Sequence, residues 1–209
     1  MTDQEHLELL RSIGTRGSQA EAAMTQLYGA LSSSVFAFVR RRMSAADDHE
    51  VQAVVVDALY QVWCSAPNFA GNSTVKTWVL GIARHKLLDA VRSNPNSAHR
   101  HEDVADHTES LADSSVDLLT ELAAKQRAQG LQLCMDLLPA DQREALHLLL
   151  VEGMSVADIA LVQACPCGTV KSRVFHAKNK LKALMANWLR GEAPSPCPQV
   201  KPFTNEVFT

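Results

Sequence analysis

The residues best equipped for chemistry lie late in the chain. From Gly168 to Arg190 there are Lys171, Arg173, Lys178, Lys180, Lys182 and Arg190, and not one acid. Cations so grouped neutralise phosphate, and side chains near the start of a helix can reach base edges in the major groove. Val170, Val174, Ala177, Leu181, Leu184 and Trp188 recur at helical steps, so the stretch reads as one helix buried along that stripe. Lys171, Ser172 and Phe175 then face outward near its start, with Arg173 and His176 beside them and Lys178 a turn on. Thr169 is expected to cap it. Upstream, Ser155-Val156-Ala157-Asp158 has the capping-box form and opens a short helix burying Val156, Ile159 and Ala160, and Ala164 to Gly168 supplies a tight turn. A short helix, a turn and a basic helix is the helix-turn-helix arrangement of duplex-DNA readers. A basic face that is merely solvated fits the same spacing.

Other chemistries find less support. Cys165-Pro166-Cys167 offers two soft ligands where a zinc site needs four; Cys134, His147 or Cys197 would have to complete it, and packing is the favoured role. His99, His101 and His107 lie among acids in a polar stretch that reads as solvated. There is no Gly-rich phosphate loop, nucleophile motif or paired-carboxylate constellation, so no catalysis, no cofactor and no metal are expected.

The elements that position the basic helix are themselves helical. Leu27, Leu31, Val35, Phe38 and Val39 recur at three- and four-residue steps, as do Val51, Val54, Val55, Ala58, Leu59, Val62 and Trp63. After a break at Pro67 to Ser73, a third stripe carries Val79, Ile82, Ala83, Leu87, Ala90 and Val91. From Ser93 to about Val116 the chain is acidic and poor in apolar residues, which favours a solvated linker. Periodicity resumes at Leu118, Leu119 and Leu122, and Pro139 suits the first turn of a helix through Ala145, Leu146, Leu148 and Leu149. The reading is all-α: a polar segment 1–19, a helical domain 20–92, a flexible acidic linker 93–117, a helix-turn-helix domain 118–190 and a Pro-rich tail 191–209.

The sums look unpromising for DNA: 20 Lys+Arg against 23 Asp+Glu give −3 in 209 residues. The average conceals segregation, since the basic helix is offset by the acidic linker and N-terminus. The polar, acidic start lacks the form of a secretory signal, and no apolar run approaches the ~20 residues that span a bilayer. Five cysteines without framework spacing fit a reducing compartment, so cytoplasmic residence and no membrane insertion are expected.

The run Leu138-Pro139-Ala140-Asp141-Gln142-Arg143-Glu144-Ala145-Leu146, then Glu152-Gly153-Met154-Ser155, Ile159-Ala160 and Gly168-Thr169-Val170-Lys171-Ser172-Arg173-Val174, resembles region 4 of bacterial sigma-70 factors, closest to the extracytoplasmic-function (ECF) group. Val35 to Arg42, Ala58 to Trp63 and Thr77 to Asp89 resemble region 2 of the same family, in order and spacing. The resemblance implies a sigma factor that binds core RNA polymerase through the β′ clamp helices and the β flap, recognises promoter DNA, and is held by an anti-sigma factor. It implies a −35 contact by Thr169, Lys171, Ser172, Arg173, Phe175, His176 and Lys178. It implies capture of the melting −10 element by Asn68, Phe69, Asn72, Ser73, Thr74, Lys76, Trp78, Arg84 and His85, with Lys86 near the backbone. The polymerase contact would fall on Glu50, Val54, Val55, Asp57, Tyr60 and Gln61.

One departure stands out. Where the family has an Asp-Leu-Val-Gln-Glu-type run, this chain has Ala53-Val54-Val55-Val56-Asp57, so weaker or altered core binding is expected. Two competing readings remain: a helix-turn-helix regulator acting without polymerase, against which the Trp78–Asp89 pattern speaks, and a sigma-like protein adaptor, which the departure favours. The acidic linker is further expected to screen the basic helix.

Overall fold

The structure is a computed structural model that describes residues 2–43, 46–93 and 118–191, with the backbone alone for 118–124. The linker acids, its histidines and the tail bearing Cys197 lie outside the described residues, as does the screening role expected of that linker.

Among the described residues every regular element is a helix, the all-α architecture expected: α1 Asp3–Gly14, α2 Ala20–Arg42, α3 Asp48–Ser65, a 3-10 turn Ala66–Asn68, α4 Val75–Ser93, α5 Leu118–Asp136, α6 Ala140–Leu150, α7 Val156–Gln163 and α8 Cys167–Leu189. The first unit is built by packing α2 against α1, α3 and α4. Its centre is Leu27, Leu31, Val35, Phe38 and Val39 of α2 meeting Val51, Val55, Ala58 and Val62 of α3 and Val79, Ala83 and Leu87 of α4. α2 has the length and hydropathy of a membrane span, yet that stripe is covered by the neighbouring helices.

Residues 1–19, expected as a polar segment, contain a helix that belongs to the first unit. Thr2 starts α1 with a reciprocal capping box: its hydroxyl accepts the Glu5 N–H, and the Glu5 carboxylate accepts the Thr2 N–H at 2.7 Å. Leu10 and Ile13 are fully buried, and the Asp3 carboxylate accepts the Val75 N–H at the start of α4. Arg16, with φ of 54°, reaches back so that its guanidinium lies 4.4 Å over the Trp63 ring and donates to the Trp63 carbonyl. Trp63, expected as plain core, is thus half-buried and stacked.

In the second unit α8 packs on α5, α6 and α7. Ser155 caps α7 as expected, accepting the Asp158 N–H at 3.1 Å. Thr169 does not cap α8: the helix begins two residues earlier, with Pro166 in the cap position. Ala164 in the left-handed region ends α7 and lets Pro166 direct the chain into α8 without added residues. Gly130 of α5 allows the Trp188 ring of α8 to lie directly on the backbone; a Cβ there would sit 2.5 Å from Cε2. The two units meet, α7 lying along α4 and α6 against α2.

Candidate nucleic-acid interface

The sequence of α8 alternates its two faces cleanly. Val170, Val174, Ala177 and Leu184 are buried, while Thr169, Lys171, Ser172, Phe175, His176 and Lys178 are exposed. Phe175 stands 62% exposed with His176 edge-on to its ring at 5.5 Å. The Ser172 hydroxyl donates to the Gly168 carbonyl, which fixes the first turn of the helix.

Arg173 departs from this set. Its guanidinium donates to Asp141 Oδ2 at 2.7 Å, to Gln163 Oε1 at 2.8 Å and to Cys165 Sγ at 3.4 Å. It braces α8 against α6 and α7 and does not face outward with the others. The spacing carries the signal: 170, 173, 174 and 177 fall at i, i+3, i+4 and i+7, the buried stripe. Cys165, half-buried, serves as an acceptor in this brace, and no group of metal-ligating side chains occurs among the described residues.

A second candidate surface lies in the first unit. Thr74 caps α4, its hydroxyl accepting the Thr77 N–H at 3.1 Å. The preceding loop turns at Gly71, with φ of 73°, and presents Asn68 and Asn72 to solvent, with Ser73 half-buried. The Phe69 and Trp78 rings tilt together at 5.1 Å. Beside Trp78 runs a groove of about 310 Å³ lined by Gln61, Ser65, Ile82, His85, Lys86 and Asp89. Its aromatic wall, imidazole and ammonium suit a flat base attached to a phosphate backbone. Gln61, expected on the polymerase side, lies in this groove, where its amide donates to the Ser65 hydroxyl at 2.8 Å.

Lys76 and Arg84, expected to meet DNA backbone, are instead engaged across the seam between the units. The Lys76 ammonium lies 2.7 Å from Glu152, and Arg84, only 8% exposed, donates through Nε to Glu144 at 2.8 Å. Beside them the Thr77 hydroxyl donates to Asp158 at 3.2 Å, and Arg42 donates to Asp141 at 3.0 Å. Gln163 donates to Glu144 as well, linking this seam to the Arg173 brace. The carboxyl of Glu152 is held down at about 2, first by the His147 imidazole, whose Nε2 lies 3.5 Å away, and then by Lys76, against the opposing effect of burial. For Asp141, burial favours the neutral acid, but the Arg42 hydrogen bond and the charges of Arg173, Arg42 and Arg84 outweigh it and lower its pKa. Sequence reasoning missed Arg42, Glu144, Glu152, Asp158 and Gln163 as a set, because the seam partners are 60 to 99 residues apart.

The third set splits by burial. Val54 and Val55 of α3 are 6% and 1% exposed and pack into the first core, so they cannot touch a docking partner directly. Asp57 and Tyr60 are exposed, the latter 67%, with Val56 beside them and Glu50 half-buried a turn and a half earlier. The outward face of α3 is therefore Ala53, Val56, Asp57 and Tyr60, a helical i, i+3, i+4, i+7 series.

Comparison with known proteins matches two stretches of the chain to one family. The Sigma-70 region 2 description covers residues 27–96 and the Sigma-70, region 4 description covers residues 128–181. The chain is 38% identical over 125 residues to the ECF RNA polymerase sigma factor SigC of Mycobacterium tuberculosis, 56% of this chain and 60% of that one. It is 31% identical over 159 residues to the RNA polymerase sigma-H factor of Pseudomonas aeruginosa, 69% of this chain and 77% of that protein. Among solved structures it resembles the sigma factor RpoE of Bartonella quintana, crystallised with the anti-sigma factor NepR, at a TM-score of 0.61 and 28% identity, covering 78% of this chain and 96% of that one.

Proposed function

Since the chain belongs to the sigma-70 family of RNA polymerase sigma factors, in its ECF group, we propose that it binds core RNA polymerase and directs promoter-specific initiation. In this reading residues 20–92, with α1 added, form the −10 and polymerase-binding domain, and residues 118–190 form the −35 domain. The protein carries out no bond chemistry; it positions DNA for polymerase in the cytoplasm. An anti-sigma factor is its natural counterpart, as NepR is for RpoE of Bartonella quintana.

Thr169, Lys171, Ser172, Phe175, His176 and Lys178 meet duplex DNA. Polar side chains near the helix start approach base edges, Phe175 packs against apolar base edges, and the lysines fix register on phosphate. Asn68, Phe69, Asn72, Ser73, Thr74, Trp78, His85 and Lys86 receive an unpaired strand. Displacing a base from its stack costs a few kcal/mol, which aromatic stacking at about 1–3 kcal/mol per base can offset. Asp57 and Tyr60, with Val56 and Glu50, dock on polymerase. The observation that carries the reading is the pairing, in one chain, of an acid-free outward face on α8 with the Phe69–Trp78 groove of α4. Either surface alone would suit a simpler DNA binder.

The test is direct titration with core polymerase. The chain should bind core, and Tyr60→Ala should weaken binding about tenfold, the effect of losing an interface anchor worth over 1 kcal/mol. A chain that binds duplex DNA but shows no affinity for core would be a regulator working without polymerase, and the reading would fail.

A further inference from the structure

The seam between the units pairs the chain's own acids with two cations, Lys76 and Arg84, that the family resemblance assigns to the melted strand. From the second unit come Asp141 and Glu144 of α6, Glu152 of the loop after it and Asp158 of α7; from the first come Arg42, Lys76, Thr77 and Arg84. The carboxylates of Glu144 and Glu152 hold the Arg84 guanidinium and Lys76 ammonium at 2.8 and 2.7 Å. Those are distances at which a phosphate oxygen would meet the same donors. We propose that the acidic edge of α6 and α7 is a DNA-mimicking surface that occupies the Lys76 and Arg84 cations of α4, so that the free chain is blocked from offering them to a DNA strand.

The chemistry of the seam suits a contact made to be released. Its polar partners are mostly charged, and charge pairs taken out of water gain little net stability because desolvation cancels most of the attraction. A few phosphates, bringing counterion release, can therefore compete for the same cations. The groups that remain free of the seam are equally telling. Trp78 and His85 line the groove on α4, and the outward residues of α8 stay exposed. Covering thus removes two backbone-neutralising cations, Lys76 and Arg84, while leaving the −35 surface open.

This inference rests on the assignment of Lys76 and Arg84 to the melted strand, and its test separates the two. Arg42→Gln and Glu152→Gln each remove a seam partner, from opposite units and with opposite changes in net charge, and neither residue is assigned to DNA. In the full chain both should enlarge the radius of gyration in small-angle scattering. Both should also tighten binding of a short mixed-sequence DNA single strand at low salt, by up to about tenfold if the free chain is open a tenth of the time. The result for Arg42→Gln is decisive, because loss of a positive charge alone would weaken DNA binding. A Lys76→Glu/Glu152→Lys swap should restore the compact radius lost in Glu152→Lys, which shows that the expanded variants are folded and open. An unchanged radius in both variants, or expansion with no gain in strand affinity, overturns the proposal. The strand assignment fails separately if Trp78→Ala and His85→Ala leave single-strand affinity unaltered.

Discussion

Arg173 shows how one side chain is diverted from the role its position in a motif suggests. It sits amid residues that face outward, yet its guanidinium joins Asp141, Gln163 and Cys165, which belong to α6, to α7 and to the turn before α8. Only a planar fork with several donors can reach all three acceptors at once, so Lys is not an equivalent. Arg173→Ala leaves Asp141 short of one partner and the Gln163 oxygen without its donor. Losing one member of such a partly buried network should cost about 1–3 kcal/mol of stability. Arg173→Lys should recover less than half of that, as measured by thermal melting, and −35 affinity should fall only in step with stability. Affinity loss at full stability would make Arg173 a base reader instead. The burial of Val54 and Val55 carries the same lesson: a resemblance points to a helix, while helical phase decides which of its residues look outward.

At the scale of elements, the helices were legible because apolar residues recur at three- and four-residue steps wherever a helix covers a core. α1 escaped notice because only Leu10 and Ile13 of its apolar residues are fully buried, with Leu7 and Leu9 half-buried among polar neighbours. The start of α8 was misplaced because a Pro in the extended conformation can precede a helix as well as a capping hydroxyl can. Two glycines inside helices make opposite predictions. In a helix interior Ala is favoured over Gly by about 0.8–1 kcal/mol. At Gly81 of α4 nothing stands within 4 Å of the point where an alanine methyl would project, so Gly81→Ala should stabilise the first unit by close to that amount. At Gly130 the same methyl would sit 2.5 Å from the Trp188 ring. Overpacking costs typically about 1–3 kcal/mol, which outweighs the propensity gain, so Gly130→Ala should lower the melting temperature of the second unit. Equal signs for the two substitutions would contradict the packing described between α5 and α8.

Across the whole molecule, the relation between the units was the part least visible in the sequence. Period and motif are local, whereas Arg84 finds Glu144 and Arg42 finds Asp141 across most of a domain's length of chain. The net charge of −3 now has a clearer partition: some of the acid lies in α6 and α7, directly opposite cations of the first unit. The seam has a definite pH signature. Glu152, faced by His147 and Lys76, has its folded pKa lowered to about 2 from 4.5, and Asp141, faced by Arg42, Arg84 and Arg173, is also lowered. A depressed carboxyl contributes stability that is complete above its unfolded pKa and disappears as pH falls through the folded one. The two acids should thus hold the seam undiminished at pH 5 and above, and the radius of gyration should grow only between about pH 4.5 and 2. Opening already complete at pH 5 would mean that these carboxylates do not govern the seam.

The central claim is that one chain carries polymerase to a promoter by using both units together. Run-off transcription with purified core polymerase, this chain and a pool of genomic upstream fragments addresses it most directly. The account predicts discrete transcripts that appear only with the chain present and are abolished both by Trp78→Ala in the first unit and by Lys171→Ala with Phe175→Ala in the second. Absence of any chain-dependent transcript from folded protein, or transcripts indifferent to either set of substitutions, would contradict it.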